Sequence, residues 1–147
     1  VLSFVRKKTM KKKPKKPLTS FKKKAWKAFR DWIILRDALS TTKTPYEVIC
    51  CTCKKKFPVK GMQAGHYVAG RKNAYLFSEQ GVHAQCKSCN IFLHGNPIEY
   101  REFMDNKYGI TERLLEENKR WETKIYIQQD YIDIEQKYKE KLKELKK

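Results

Sequence analysis

Five cysteines stand at positions 50, 51, 53, 86 and 89, and four of them form two pairs, Cys50-x-x-Cys53 and Cys86-x-x-Cys89, with 32 residues between. Four thiolates in two such pairs can occupy the corners of a tetrahedron, so the predicted chemistry is a closed, structural Zn2+ site that holds the fold and performs no catalysis. The gap is longer than a compact zinc ribbon needs, so the intervening residues must form a structured excursion. A disulfide reading fits poorly with a chain in which no secretory signal is recognisable. A redox Cys-x-x-Cys would sit in a βαβ pattern that is missing here. Cys51 is left over.

All three histidines fall inside or just after this excursion. Gly-Met-Gln-Ala-Gly-His-Tyr carries His66, Gly-Val-His-Ala-Gln carries His83 into Cys86, and His94 follows the second pair. The segment reads as a strand, a loop bearing Arg71 and Lys72, a second strand, and a short helix opened by Cys86-Lys-Ser-Cys-Asn. In the second strand His83 and Gln85 share a face, with Val82 and Ala84 on the other. Asn90 and His94 stand at i and i+4 and should project from one helix face. Taken alone, each histidine is an ordinary polar side chain. Together with a hard cation they suit phosphodiester hydrolysis, because an imidazole with a pKa of about 6.5 can take a proton from water at neutral pH. Few protein oxygens suffice to hold Mg2+ or Mn2+ against a phosphate, and Arg71 and Lys72 can grip a neighbouring one.

Flanking elements must position these groups. Thr19-Ser20 offers an N-cap, and from Phe21 to about Leu39 the spacing of Trp26, Phe29 and Ile33 predicts an amphipathic helix with an aromatic core face. Its opposite face shows Lys23, Lys27 and Arg30. Ser40 to Pro45 reads as a loop. Beyond Gly95-Asn96-Pro97 the pattern is helical, with Gly109 ending one helix and Thr111 capping the next. Ile127, Tyr131, Ile134, Tyr138, Leu142 and Leu145 form a stripe that either folds back on the domain or supplies a homodimer interface. The expected organisation is a basic disordered arm over 1–18, a helix and loop over 19–45, the zinc-bound core over 46–97, and a helical extension over 98–147.

The charge identifies the partner class. The 147 residues include 34 Lys+Arg against 16 Asp+Glu, a net charge of +18. Residues 1–30 hold 13 basic side chains and no acid, whereas residues 99–147 hold 12 of each sign. A lysine arm favours a polyanion by releasing counterions and carries no sequence information of its own. Lys54, Lys55 and Lys56 extend the basic surface beside the first cysteine pair. No run of about 18 apolar residues is present, so no membrane span is expected. Branched or duplex DNA is the expected partner and the cytoplasm the expected compartment.

The sequence also resembles a known family. Zinc-knuckle HNH, or ββα-metal, nucleases place a Gly/Asp-His strand, a second strand and a Cys-x-x-Cys-Asn helix in this order. More closely, the chain resembles the phage NinG/Rap recombination endonucleases. The matching stretches are Ala-Trp-Lys-Ala-Phe at 25–29, Trp-Ile-Ile-Leu-Arg-Asp-Ala from Trp32, Cys-Cys-Thr-Cys at 50–53 and Met-Gln-Ala-Gly-His at 62–66. They continue with Val-His-Ala-Gln-Cys-Lys-Ser-Cys-Asn at 82–90, Gly-Asn-Pro-Ile-Glu-Tyr-Arg at 95–101 and Tyr-Gly at 108–109. The likeness covers roughly residues 18–145.

That resemblance implies metal-dependent hydrolysis of branched recombination intermediates, such as Holliday junctions and D-loops, in the bacterial host of a phage. It matches His66 to the general base, Asn90 to a catalytic-metal ligand, and Cys50, Cys53, Cys86 and Cys89 to structural zinc ligands. Two positions depart from the pattern. Gly65 stands where many HNH nucleases carry a metal-binding Asp, which leaves His94 or His83 to complete the metal site. Gly81 stands where an Asn usually organises the loop. The expectation is an α+β fold with a ββα-metal core, acting as a structure-selective DNA endonuclease. Its rival is a non-catalytic, zinc-stabilised DNA-binding accessory protein of recombination.

Overall fold

The computed structural model describes residues 16–147, so most of the expected basic arm lies outside the described residues. In chain order the elements are α1 (Leu18–Thr42), β1 (Glu47–Ile49), β2 (Lys56–Pro58), β3 (Gln63–His66), α2 (Asn73–Leu76) and β4 (Val82–Gln85). A π-helical turn (Ser88–Phe92), α3 (Pro97–Tyr108), α4 (Ile110–Asn118), a 3-10 turn (Lys119–Trp121) and α5 (Gln128–Leu145) follow. The class is α+β, with two small antiparallel two-stranded sheets, β1–β2 and β3–β4, between helices.

α1 outruns its apolar spacing at both ends. Pro17 takes the N-cap position with extended backbone, so Thr19 and Ser20 lie in the first turn instead of capping it. Proline's fixed φ suits a helix start, where a backbone N–H has no partner. At the far end Thr41 and Thr42 fold their hydroxyls back on the Asp37 and Ala38 carbonyls, at 2.6 and 2.9 Å. The helix stops at Lys43, which takes a left-handed φ of 62°. Gly109 ends α3 as expected, with φ 92°, but α4 starts at the very next residue and Thr111 sits inside it.

The aromatic face of α1 is core. Ala28, Phe29, Trp32 and Ile33 pack with Ala64 and Val82 of the β3–β4 hairpin and with Tyr138 of α5. Tyr138 meets Phe29 edge-on at 4.8 Å between ring centres. Ile134, Tyr138 and Leu145 of the C-terminal stripe therefore pack back on the chain, with Tyr131 and Tyr138 buried, while Ile127 is exposed.

A polar staple fixes the hairpin against α1. Arg36 donates to the Glu79 and Val82 carbonyls at 2.6 and 2.9 Å. The buried Asp37 carboxylate accepts from the Ala84 N–H at 2.7 Å and from Arg36 Nε at 2.8 Å. Asp37→Ala orphans a buried N–H and one side of Arg36, and should cost about 2–3 kcal/mol. Asp37→Asn, which keeps an acceptor, should cost less. Denaturant midpoints at unchanged slope measure the difference.

Candidate functional site

The two sheets bring the cysteine pairs together. Cys50 follows β1 and Cys53 lies in the turn to β2, while Cys86 follows β4 and Cys89 lies in the π-helical turn. The Cys51 N–H donates to the Ala84 carbonyl at 3.1 Å and locks the sheets to each other. The sulfurs of Cys50, Cys53, Cys86 and Cys89 all lie within 4.8 Å of one another. A tetrahedron with Zn–S bonds of about 2.3 Å has edges of about 3.8 Å, which matches the 3.8 Å between Cys53 and Cys86 Sγ. The donor set and spacing fit structural zinc.

Second partners are built in. Cys50 Sγ receives the Cys86 N–H at 3.3 Å and lies 3.4 Å from the Thr52 hydroxyl. Asn96 Nδ2 donates to Cys89 Sγ at 3.6 Å. Burial pushes the Cys50 thiol up, but the Thr52 hydroxyl and the N–H groups of Cys53, Cys86 and Thr52 outweigh it and bring it down to about 6. Burial raises Cys86 to about 12, so zinc must displace its proton. Cys51 points elsewhere, into a cluster with Tyr100 and Met104, and burial holds its thiol well above the ordinary value.

The β3–β4 hairpin separates the remaining candidates. Its register pairs Gln63 with Gln85, Ala64 with Ala84, Gly65 with His83 and His66 with Val82. Ala64, Val82 and His66 face α1, and Gly65, His83 and Gln85 face the other way. His66, half-buried at the end of β3, stacks on Trp26 at 5.2 Å, and the Arg71 guanidinium lies 4.4 Å over the same indole. His66 Nε2 is 3.0 Å from the Leu76 carbonyl. A carbonyl only accepts, so Nε2 carries the proton and Nδ1 keeps its lone pair. Burial pulls the His66 pKa down to about 4, against the pull of the Leu76 carbonyl and with help from the Arg71 charge. In a nitrogen-detected NMR titration His66 should stay neutral, protonated at Nε2, until about pH 4. A midpoint near 6.5 would contradict this. Because the unfolded chain takes up this proton near pH 6.5, the group lowers stability as pH falls from there toward 4.

On the opposite face, a Cβ built on Gly65 would fall on Gln85 Oε1 and lie 3.1 Å from Asn90 Oδ1. No side chain fits at residue 65 because Gln85 already fills the space. Asn90 Nδ2 donates to Gln63 Oε1 at 2.6 Å. His83 is not available as a metal ligand. It is 1% exposed, and both ring nitrogens are engaged, Nε2 with the Tyr108 hydroxyl at 2.7 Å and Nδ1 with the Tyr100 hydroxyl at 3.4 Å. His94 is also separate. The helical turn ends at Phe92, His94 adopts a left-handed φ of 53°, and its side chain is exposed, so the expected shared face with Asn90 does not form. At Gly81 a Cβ would meet the buried Glu116 carboxylate of α4, and Ser78 Oγ takes the Gly81 N–H at 3.1 Å. These groups hold the loop that an Asn was expected to organise.

A family model described as the Bacteriophage Lambda NinG protein matches residues 5–147. The chain belongs to the NinG family. Its phage character and a recombination-related role follow from that membership. No curated protein and no solved structure matches it.

The basic residues of this NinG chain divide by what already holds them. Lys27 and Arg30 both pair with Asp31, at 2.8 and 3.1 Å, and Lys56 pairs with Glu47 at 3.5 Å. Lys54 donates to the Cys51 carbonyl at 2.7 Å and covers Phe103. Lys23 and Lys55 are exposed. Lys72 lines a cleft of about 670 Å³ with Tyr67, Arg101, Arg120 and Trp121. Arg101 and Arg120 were invisible as site residues, since they lie in a charge-balanced segment and reach the cleft only through the packing of α3 and α4. Among the described residues no helix is long and apolar enough to cross a membrane.

Proposed function

We propose that this protein is a structure-selective DNA endonuclease that hydrolyses phosphodiesters in branched recombination intermediates. The observation that carries the reading is His66, which is held neutral with Nδ1 free and lies beside Arg71 on a shared indole. Nδ1 takes a proton from the attacking water as its oxygen bonds to phosphorus and the P–O bond to the leaving group breaks. Arg71 offsets charge on the phosphate. Mg2+ or Mn2+, which Asn90 would hold, would supply charge neutralisation to the phosphodiester. The Lys72, Arg101 and Arg120 cleft gives the neighbouring backbone a cationic track, with Trp121 exposed at its rim for stacking.

A second reading is favoured by one specific observation: His66 and Asn90 lie on opposite faces of the hairpin. A zinc-stabilised DNA-binding accessory protein needs no contact between them. Incubating a labelled four-way junction and a matched linear duplex with Mg2+ or Mn2+ separates the two. The nuclease cuts the junction at least ~10-fold faster than the duplex. The accessory protein binds the junction and cuts neither.

Arg71→Ala should lower junction cleavage by about 10- to 100-fold through loss of a positioned charge beside the phosphate. Lys23→Ala should change it less than threefold, because an exposed lysine contributes a screened, non-specific contact. Single-turnover rates at fixed salt measure both.

A further inference from the structure

The cleft that holds Lys72, Arg101 and Arg120 carries a second chemistry that a phosphate track does not use. Its walls come from the loop that leaves β3, the start of α3 and the 3-10 turn after α4. Trp121 and Ile98 line it at 81% and 79% exposure, the two barest large apolar side chains among the described residues. Apolar surface left bare in water is costly unless a partner covers it. Lys72, Arg101 and Arg120 pair with no carboxylate among the described residues. Glu117, the carboxylate in the lining, is already held by Arg113 at 3.0 Å and by the Tyr67 hydroxyl. Unpaired positive charge and a flat aromatic face thus stand side by side in about 670 Å³, the size of a small-molecule pocket. The cleft also adjoins His66. Tyr75 backs it, with its hydroxyl on the Ala69 carbonyl at 2.6 Å and its ring edge-on to the His66 imidazole at 6.4 Å.

We propose that this cleft takes one unpaired nucleotide from the branch point of the DNA, its base on Trp121 and Ile98 and its phosphate on Lys72, Arg101 and Arg120. A paired nucleotide hides both faces of its base in the stack, so linear duplex offers the cleft a phosphate alone. A base that is unpaired or frayed at a branch leaves the stack at small cost and offers both groups. Stacking on an aromatic ring accepts any base, so the pocket reads structure and not sequence. The proposal rests on the nuclease reading for its use, and it gives that reading its selectivity for branched DNA.

The test uses the zinc-loaded full chain carrying His66→Ala, so that bound DNA stays intact. A four-way junction carries 5-iododeoxyuridine either at the branch point or in the middle of one arm. Long-wave irradiation and peptide mapping should place the crosslink on Trp121 for the branch-point base and give none there for the arm base. Adding Trp121→Ala should weaken junction binding at least ~5-fold, the low end of one base–aromatic stack, and change linear duplex binding less than threefold. Trp121→Phe should recover most of that loss. Because Trp121 is exposed, Trp121→Ala should leave zinc content and melting temperature unchanged. Lys72→Ala should instead weaken junction and duplex alike, through a lost phosphate contact. Equal weakening of junction and duplex by Trp121→Ala overturns the proposal, as does a branch-point crosslink that avoids Trp121. Metal-dependent cleavage by the chain with His66 intact, at a junction preference unaltered by Trp121→Ala, would sink the pocket and leave the nuclease reading standing. A branch-specific Trp121 crosslink from a protein whose wild type cuts no DNA would do the reverse.

Discussion

Stripping the zinc, by chelation or by Cys86→Ser, should cost the chain at least ~5 kcal/mol and lower its melting temperature by roughly 15 °C. The size follows from what the site joins. Cys50 and Cys53 belong to the β1–β2 sheet, and Cys86 and Cys89 belong to the segment that leaves β4. Each sheet has only two strands of three or four residues, too little to stand alone in water. The cysteines are also the polar centre of an apolar cluster with Ala38, Val48, Met62 and Ala84, so their loss opens the underside of α1. Without zinc, four crowded thiols lose the cation that holds them. Binding needs thiolates and releases protons, so stability should also fall more steeply below neutral pH in the zinc-loaded chain than in the stripped one. Scanning calorimetry with metal analysis checks this, and an unchanged melting temperature after full zinc removal would contradict it.

His66→Ala should reduce junction cleavage by about 10³-fold, within the range that a positioned general base contributes. The same change removes a stack on Trp26 and a hydrogen bond to Leu76, so some stability is lost as well. His66→Gln separates the two effects, because its amide can still donate to the Leu76 carbonyl while it has no lone-pair nitrogen to take a proton. It should restore most of the stability and none of the cleavage. Junction affinity should change less than threefold in either variant, since the proposed DNA contact rests on Lys72, Arg101 and Arg120 in a separate cleft.

Local chemistry was legible in the sequence wherever spacing alone determines geometry. The two Cys-x-x-Cys pairs converge as their spacing requires, and the aromatic stripe of α1 and the apolar stripe of α5 bury each other. Spacing misled where backbone geometry changes within a few residues. Asn90 and His94 share a face only in a continuous α-helix, and the turn closes with π-type bonding at Phe92 before His94 turns left-handed. The role of Trp26 was legible only in part, because its register marks it as core while its ring also meets His66 and Arg71. Each of the two glycine departures is the complement of a side chain from elsewhere, Gln85 at Gly65 and Glu116 at Gly81. Gln85 could be placed on the face of His83, but its overlap with residue 65 depends on strand register, which no spacing specifies.

The most direct measurement is single-turnover cleavage of a labelled four-way junction by the zinc-loaded wild type and by His66→Ala, at equal and saturating occupancy with Mg2+ or Mn2+. Metal-dependent cutting by the wild type and a rate about 10³-fold lower in the variant are expected. Tight binding by both proteins with no cutting by either would contradict the nuclease reading and leave a zinc-stabilised DNA-binding protein in its place.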